Sequence, residues 1–314
     1  MKLIRGLHNL GSPLAASAVT IGNFDGVHRG HQLVIRQLKR VAADAALPTV
    51  VIIFEPQPIE FFAPERAPGR LSRFREKIAY LKAQQIDYLL CLRFDRQLAA
   101  QTAEDFVQQI LLERLNTRHL VIGDDFHFGK NRQGNFRYLQ EHSRRFGFAV
   151  DETETLVIDG ERVSSTRIRR CIAAGDFGKA AELLGRPYSL SGRVAHGQKL
   201  GRQLGYPTIN IKMGDKTLIV RGIFAVHVKG IDNRPLEGVA SIGTRPTVAG
   251  VDTILEVYIL DFDRDVYGYS VEVEFLHKLR DEEKFDSLEE LSFNIGRDTQ
   301  NAIEYFKTRR ATVG

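Results

Sequence analysis

Residues 22–31 read Gly22-Asn23-Phe24-Asp25-Gly26-Val27-His28-Arg29-Gly30-His31. The stretch follows an apolar run at residues 18–21 that predicts a strand, and helical spacing of apolar residues continues from it to residue 40. A strand, a glycine-rich turn and a helix direct free backbone N–H groups and the positive end of the helix dipole toward a phosphate. Glycines alone would also suit a turn that only needs positive φ. Two histidines, an asparagine and an aspartate in the same stretch favour a phosphoryl-transfer site.

His28 and His31 are three residues apart, so they lie on one face of a helix that begins near residue 27. Two imidazoles beside an anion site favour stabilisation of phosphoryl charge over metal binding alone. The stretch resembles the His-x-Gly-His signature of the nucleotidylyltransferase superfamily, in the form found in bacterial bifunctional riboflavin kinase/FAD synthetases. The resemblance implies that both histidines are catalytic. It also implies nucleotide binding by the residues around them: Gly22, Asn23, Phe24, Asp25, Gly26 and Gly30.

With 314 residues, the chain is long enough for two domains that each bury a core. It contains no run of about 20 apolar residues that would span a membrane and no apolar leader segment, so a cytoplasmic protein is expected. The net charge is +5, and the basic residues are scattered among 39 acidic ones. This excess of positive charge fits anionic small molecules as well as nucleic acid. We expect neither a membrane nor a nucleic-acid partner, and the oligomeric state stays open.

Apolar runs rich in β-branched residues recur through the first half of the chain, at residues 18–21, 50–54, 88–94, 119–122 and 148–155. Helical patterns lie between them, at residues 30–43, 72–85, 102–114 and 136–146. Single helices between successive strands predict a parallel, doubly wound α/β sheet. The resemblance implies that this sheet is a Rossmann-like nucleotidylyltransferase domain. Ligands on such a sheet gather at the carboxyl ends of its strands.

Two polar segments follow predicted strands. Residues 123–135 contain three glycines among polar and aromatic residues, and the alternative to a binding loop is a surface loop without a function. As a binding loop, it would cover a flavin ring with Phe126 and Phe128, while Asp125 would accept hydrogen bonds from the ring.

The second segment, residues 163–170, places hydroxyl side chains at a predicted helix N-terminus. They are either an N-cap alone or, together with two arginines, a clamp for phosphates. The segment resembles the Ser-Ser-Thr-x-Ile-Arg element that completes the ATP site of FAD synthetases. This implies that Arg169 is catalytic and that ATP is bound by Ser164, Ser165, Thr166 and Arg167.

The hydrophobic period changes at residues 185–187. Beyond them, short alternating strands with Gly, Pro or Asp turns predict a small antiparallel β-barrel, and one C-terminal helix follows. The apolar stripe of that helix, which includes Leu291 and Ile295, is predicted to be core rather than a binding feature. With the resemblance, the chain divides into an FMN adenylyltransferase domain at residues 1–185 and a riboflavin kinase domain at residues 186–314.

A glycine-rich segment opens the second domain, and its glycines predict a flap that can approach phosphates closely: Gly197, Gly201 and Gly205. Thr208 and Asn210 lie two residues apart, on one side of an extended strand. Their neutral oxygens suit Mg²⁺, which takes few protein ligands beside nucleotide phosphates. No Walker loop occurs in the sequence, so a P-loop kinase is excluded.

This segment resembles the Gly-Phe-Pro-Thr-Ala-Asn motif of riboflavin kinases, with Tyr206 in place of Phe and Ile209 in place of Ala. The resemblance adds Lys199 and Pro207 to the nucleotide-binding residues. Residues 238–247 resemble a further motif of that family, Gly-Val-Ala-Asn-x-Gly-x-Arg-Pro-Thr, with Ser241 in place of the Asn.

Glu256 is a single carboxylate inside an apolar strand, and the residues alone leave a surface position and a functional base equally open. The resemblance implies that it is the base that takes a proton from riboflavin as the 5′-hydroxyl attacks ATP. The whole chain then resembles a bifunctional enzyme that makes FMN from riboflavin and ATP, and FAD plus pyrophosphate from FMN and ATP, both with Mg²⁺. The alternatives are an enzyme that keeps one activity, and a flavin-sensing or RNA-binding regulator that retains the fold.

Overall fold

The computed structural model describes residues 1–197, 200–214, 219–247 and 250–313. Contacts within the chain divide it into two compact units, each with its own sheet. The first unit consists of Met1–Pro68 and Arg73–Ser164, and the second of Gly69–Ser72 and Ser165–Gly314. The predicted boundary at residue 185 separates two functional domains, whereas this division rests on contacts within the chain. The functional boundary therefore stays a prediction.

The described strands of the first unit are β1 (Lys2–Arg5), β2 (Ser17–Ile21), β3 (Thr49–Glu55), β4 (Tyr88–Arg93), β5 (Thr117–Gly123), β6 (His127–Phe128), β7 (Gly134–Asn135), β8 (Ala149–Thr153), β9 (Val157–Ile158) and β10 (Glu161–Arg162). Six of these described strands form one parallel sheet in the order β1-β4-β3-β2-β5-β8. The remaining pairs, β6 with β7 and β9 with β10, are short antiparallel ribbons. The predicted parallel, doubly wound sheet is confirmed. Strand β1 was not predicted, because it has four residues and buries only Ile4.

The described helices of this unit are α1 (Arg29–Asp44), α2 (Pro58–Phe62), α3 (Phe74–Ala83), α4 (Arg96–Ala100), α5 (Ala103–Phe106) and α6 (Phe136–Phe146), and α5 continues as the π-helical segment Val107–Leu112. They cover both faces of the sheet. Successive strand residues point to opposite faces, so the apolar strands present buried side chains on each face. Ile52 packs in a cluster with Phe106 on one face, and Ile53 packs with Ile35 of α1 on the other.

The described part of the second unit contains the helices α7 (Ser165–Ala173), α8 (Phe177–Leu184), α9 (Leu200–Gln203) and α10 (Leu288–Val313). Its strands are β11 (Ser189–Ala195), β12 (Thr208–Gly214), β13 (Gly222–Lys229), β14 (Leu236–Thr247), β15 (Gly250–Ile259) and β16 (Ser270–Arg280). They form a closed antiparallel barrel in the order β11-β12-β15-β14-β13-β16, so the predicted barrel with a C-terminal helix is confirmed. Among the residues that the structure describes, no helix is long and apolar enough to cross a membrane.

Helix α8 contributes to the core of the second unit through Phe177. The Phe177 ring lies edge-on to Phe224, with centroids 5.5 Å apart, and 5.9 Å from Phe275. Phe224 and Phe275 belong to barrel strands and are almost completely buried. The barrel therefore needs residues that precede the predicted boundary at 185.

Two fragments test this dependence. A fragment that begins at Ser165 keeps Phe177 and should fold, whereas one that begins at Arg186 lacks it. Loss of a buried phenylalanine costs about 3–5 kcal/mol, which is much of the stability of a small domain. Thermal unfolding followed by circular dichroism should therefore show a cooperative transition for the longer fragment, and a much lower midpoint or none for the shorter one. Equal midpoints would show that α8 is not part of this core.

Candidate active sites

His28 is the N-cap of α1. Its backbone is extended, and its Nδ1 accepts a hydrogen bond from the backbone N–H of His31 at 3.3 Å. The two imidazole rings stack with their centroids 3.6 Å apart, and the Phe24 ring lies 5.0 Å from that of His31. The structure thus brings the two predicted histidines together. The helix begins at Arg29 rather than near residue 27, because the preceding turn is not helical.

That turn, between β2 and α1, has a strained backbone. Phe24, Gly26 and Val27 have φ angles of 47°, 77° and 42°, all in the left-handed region. For a β-branched residue such a φ is an outlier, and each strained non-glycine residue costs about 1–3 kcal/mol. Strain of this kind persists only where the surrounding structure fixes it, and it gathers at functional sites. The backbone therefore marks the turn as a candidate site independently of its sequence.

The electrostatic surroundings of His31 are cationic. Burial lowers the pKa of His31 well below its ordinary value, and the nearby His28, Lys77 and Arg162 lower it further. The imidazole is therefore uncharged at neutral pH. Its Nδ1 is buried and has no hydrogen-bond partner among the residues described. An uncharged ring among fixed positive groups suits an anionic ligand such as a nucleotide phosphate.

Gly30 lies where a side chain would be crowded. A Cβ at this position would approach the His28 ring to 3.1 Å and the carbonyl oxygen of Val163 to 3.4 Å. The close packing brings Val163, and with it the neighbouring Ser164, to the start of α1. Ser164 is the part of the predicted hydroxyl clamp that belongs to the first unit.

The rest of that clamp begins α7 and belongs to the second unit. The helix starts at Ser165, as predicted. Arg167 is buried, and Arg169 donates from Nε to the carbonyl oxygen of Gly69 at 2.7 Å. Arg169 thereby ties the short segment Gly69–Ser72 to α7. Anion binding by the hydroxyls and arginines of this helix stays a prediction.

The polar loop after β5 is held by Arg162, which contacts Asp124 at 2.7 Å and Asp125 at 3.0 Å. Phe126 and Phe128 stack with their centroids 5.4 Å apart. Phe128 is only 7% exposed and packs in the core beneath the sheet face, whereas Phe126 is half-buried. Flavin contact by both rings stays a prediction, and the difference in burial favours Phe126 as the contact and Phe128 as its support.

An aromatic cluster that the sequence analysis missed lies at the carboxyl ends of β3 and β4. Its rings, with centroids 5.3–5.7 Å apart, are Phe54, Phe61, Phe62 and Phe94. Phe62 is 65% exposed. Gln57, which precedes α2, is buried, and its Nε2 has no partner in the described part of the chain. The adjacent Phe61-Phe62 pair after a proline-rich loop was the sequence feature that could have indicated this cluster.

In the second unit, pairing between three neighbouring strands sets six side chains in two rows. The first row is Asn210, Glu256 and Ser241, and the second is Thr208, Tyr258 and Val239. Paired residues point to the same face of a sheet, and residues two apart on a strand do so as well. The three residues predicted for kinase chemistry, Thr208, Asn210 and Glu256, therefore lie side by side.

These six residues line a cavity of about 1040 Å³, counted with its open mouth. Helix α10 contributes Leu291 and Ile295 to the opposite wall. The prediction that the apolar stripe of this helix is only core is therefore wrong for its first turns, although Ala302 and Phe306 further along are buried. Helical periodicity indicates which side chains face the barrel, but not whether the space opposite them is filled.

Asn210 has the properties of a metal ligand. It is 7% exposed, and its Oδ1 has no hydrogen-bond partner in the described residues. A buried oxygen left unsatisfied costs about 1–3 kcal/mol, and it is a ligand type that Mg²⁺ accepts. The neutral oxygens of Thr208 and Asn210 thus fit the predicted Mg²⁺ site. Lys199 lies outside the described residues.

The turn from Gly201 to Tyr206 is tightly wound. A Cβ at Gly201 would approach the carbonyl oxygen of Tyr206 to 2.4 Å, and Gly205 has a φ of 86°. Both glycines are therefore required by the turn itself. Their contact with the nucleotide, like that of Pro207, stays a prediction. The Tyr206 ring stands edge-on to Tyr258, 5.4 Å away, and burial raises the pKa of the Tyr258 phenol.

Arg280 and Asp298 form a second feature that the sequence analysis missed. Nε and Nη2 of Arg280 donate to the two carboxylate oxygens of Asp298 at 2.8 and 2.7 Å, and this pairing raises the pKa of Arg280. Both residues line the cavity. The bidentate pair joins β16 to α10 and so fixes one wall of the site.

The fold and the two sites define a transferase that acts on nucleotides with two separate units. A family model described as FAD synthetase matches residues 12–167, and one described as riboflavin kinase matches residues 184–306. The chain belongs to the family of bifunctional riboflavin kinase/FMN adenylyltransferases.

Relatives of that name are similar to this chain over nearly its whole length. The protein from Escherichia coli (strain K12) is 47% identical over 307 residues, covering 98% of each chain. That from Haemophilus influenzae is 46% identical and covers 98% of this chain and 100% of its own. A solved structure from Streptococcus pneumoniae, titled as a macrolide-efflux protein, is 30% identical with a TM-score of 0.79, covering 96% of this chain and 98% of that one.

Gly197 offers a test of the Asn210 geometry. A Cβ at Gly197 would lie 2.5 Å from the Asn210 amide, so Gly197→Ala should displace this side chain. We expect FMN formation to fall about tenfold or more, because small displacements of ligands are costly in catalysis. FAD formation from added FMN should not change. Gly178→Ala on α8 is the matched control, since its new Cβ would meet only Asp176, at 3.7 Å. Normal FMN formation in Gly197→Ala would contradict a role for Asn210.

Proposed function

We propose that this chain makes both FMN and FAD, at two distinct sites. The order of the two family models and the names of relatives 46–47% identical support the proposal. The observation that carries it is that each unit contains its own constellation: a stacked histidine pair on a strained turn, and a Thr–Asn–Glu group in a cavity. The substrates are ATP, riboflavin and FMN, and we place the reactions in the cytoplasm, without nucleic acid or membrane.

In the proposed kinase reaction, Glu256 takes the proton from the 5′-hydroxyl of riboflavin as that oxygen attacks the γ-phosphate of ATP, and ADP leaves. Asn210 and Ser241 flank Glu256 on the adjacent strands. Thr208 and Asn210 would hold Mg²⁺ through their oxygens. When bound there, the ion supplies positive charge to the phosphate oxygens.

In the proposed adenylyl transfer, a phosphate oxygen of FMN attacks the α-phosphate of ATP, and pyrophosphate leaves. No covalent nucleophile is required, so positioning and electrostatic stabilisation carry the reaction. His28 and His31 are the groups that would stabilise the charge on the phosphate. The low pKa of His31 leaves its ring uncharged before the nucleotide binds. It can then donate a hydrogen bond from an N–H without a buried cation having to exist in the free protein.

Two variants, one in each proposed site, test whether FMN and FAD are formed at separate sites. With riboflavin, ATP and Mg²⁺, the parent protein should yield FMN and FAD, separated by chromatography. Glu256→Gln should lower FMN formation by about 10²–10⁴-fold and leave the conversion of added FMN to FAD intact. His28→Ala should lower FAD formation by about 10²-fold and leave FMN formation intact. Equal loss of both activities in either variant would contradict separate sites, and unchanged riboflavin in the parent would favour the regulator.

The exposed Phe62 ring and the half-buried Phe61 ring, which stand edge-to-face, lie at the strand ends where ligands gather, and we propose that Phe62 contacts the flavin of FMN. Phe62→Ala should raise the KM for FMN about 2- to 12-fold, since an aromatic contact is worth roughly 0.5–1.5 kcal/mol. The KM for ATP should not change. Phe293→Ala is the matched control, because Phe293 is an exposed phenylalanine of the second unit, 71% accessible. An unchanged KM for FMN in Phe62→Ala would contradict the proposal that the aromatic cluster contacts the flavin.

A further inference from the structure

Lys77 of α3 is fully buried, with 0% of its surface exposed. A lysine is rarely buried to this extent, because its ammonium group loses its hydration and needs strong compensating contacts. One such contact is with the glycine-rich turn: Nζ donates to the carbonyl oxygen of Asn23 at 2.7 Å. The proposed reaction leaves this residue without a role.

The contact falls at the point where the strained turn begins. Asn23 directly precedes Phe24, the first of the residues with left-handed φ. At the other end of the turn, Gln32 donates from Nε2 to the carbonyl oxygen of Val27 at 2.9 Å. Side-chain donors from α3 and α1 thus hold the carbonyl that precedes the strained segment and the carbonyl that ends it, and within the segment the Val27 N–H donates to the Phe24 carbonyl at 3.2 Å.

We propose that Lys77 is a positioning residue for adenylyl transfer: it holds the Asn23 carbonyl, and so fixes the turn from which His28 and His31 are presented to ATP. This inference rests on the proposed role of that turn in FAD formation. Lys77 acts on His31 in a second way, through its charge. The groups that lower the pKa of His31, besides burial, are His28 from the turn, Lys77 from α3 and Arg162 from β10.

The experiment compares Lys77→Met, which keeps much of the side-chain volume but removes the donor and the charge, with Lys77→Arg, which keeps the charge. Lys82→Met is the matched control, because Lys82 lies on the same helix and is exposed. In the full chain, Lys77→Met should lower kcat for FAD formation about 10- to 100-fold, because the histidines lose their fixed positions. FMN formation should not change in any of the three variants.

The pH profile separates positioning from mere support of the fold. Activity that needs an uncharged His31 is lost as the pH falls through the pKa of that ring. Loss of the Lys77 charge raises this pKa, so the acid limb of the profile should move to higher pH in Lys77→Met. In Lys77→Arg, the limb should stay in place while kcat falls less than in Lys77→Met. In Lys82→Met, both kcat and the profile should match the parent.

Three results would overturn the inference: an unchanged kcat in a folded Lys77→Met, a reduced kcat with an unmoved acid limb, or the same fall in kcat in Lys82→Met. If Lys77→Met does not fold, as judged by its thermal transition, Lys77→Arg decides, and a parental kcat in that variant overturns the inference. A parent protein that makes no FAD from FMN and ATP would instead refute the proposed function. The two failures are therefore distinguishable.

Discussion

The left-handed backbone between β2 and α1 is the constraint on which the first unit depends. A regular turn would bring the chain into the helix at a different angle, and His28 would not cap α1 with its ring stacked on His31. Such a backbone is unfavourable in isolation, so it needs support from outside the turn. The buried Phe24 and Val27 supply that support by packing, and Lys77 and Gln32 supply it by hydrogen bonds to the carbonyls of Asn23 and Val27.

Strand register is the corresponding constraint in the second unit. Glu256 lies opposite both Asn210 and Ser241, and the alternate residues Leu255 and Val257 are completely buried. A slip of one residue would exchange the two sets, placing a carboxylate in the core and apolar side chains in the cavity. The free energy of core burial therefore holds Glu256, the proposed base, in place. Ile209 in place of the family's Ala fits this arrangement, since it belongs to the buried set.

Local patterns in the sequence were enough to predict the parallel sheet, the barrel and the pairs His28–His31 and Thr208–Asn210, because strand period, helix period and short motifs are written in consecutive residues. The features that were missed join distant parts of the chain. Lys77 contacts a carbonyl 54 residues away, and Arg280 pairs with a residue on another element. The cavity beside α10 could not be predicted from the sequence either, because the helical period indicates which side chains face the barrel but not whether the space opposite them is filled. The contacts of Phe177 were missed for the same reason, because its aromatic partners Phe224 and Phe275 lie in later strands.

The two proposed sites handle phosphate charge in different ways, and the difference follows from their side chains. In the described residues, no group of three or more His, Cys, Asp or Glu side chains is placed to hold a metal ion. The proposed kinase site instead offers Mg²⁺ the neutral oxygens of Thr208 and Asn210, which leave the charge of the ion available to ATP. The single carboxylate of Glu256 then remains available as a base. The histidine turn relies on fixed protein groups, and there the low pKa of His31 keeps a polar, uncharged donor in a buried position until an anion arrives. These fixed groups act beside the Mg²⁺ that both reactions are expected to use, so the rate of FAD formation depends on how precisely the protein positions them.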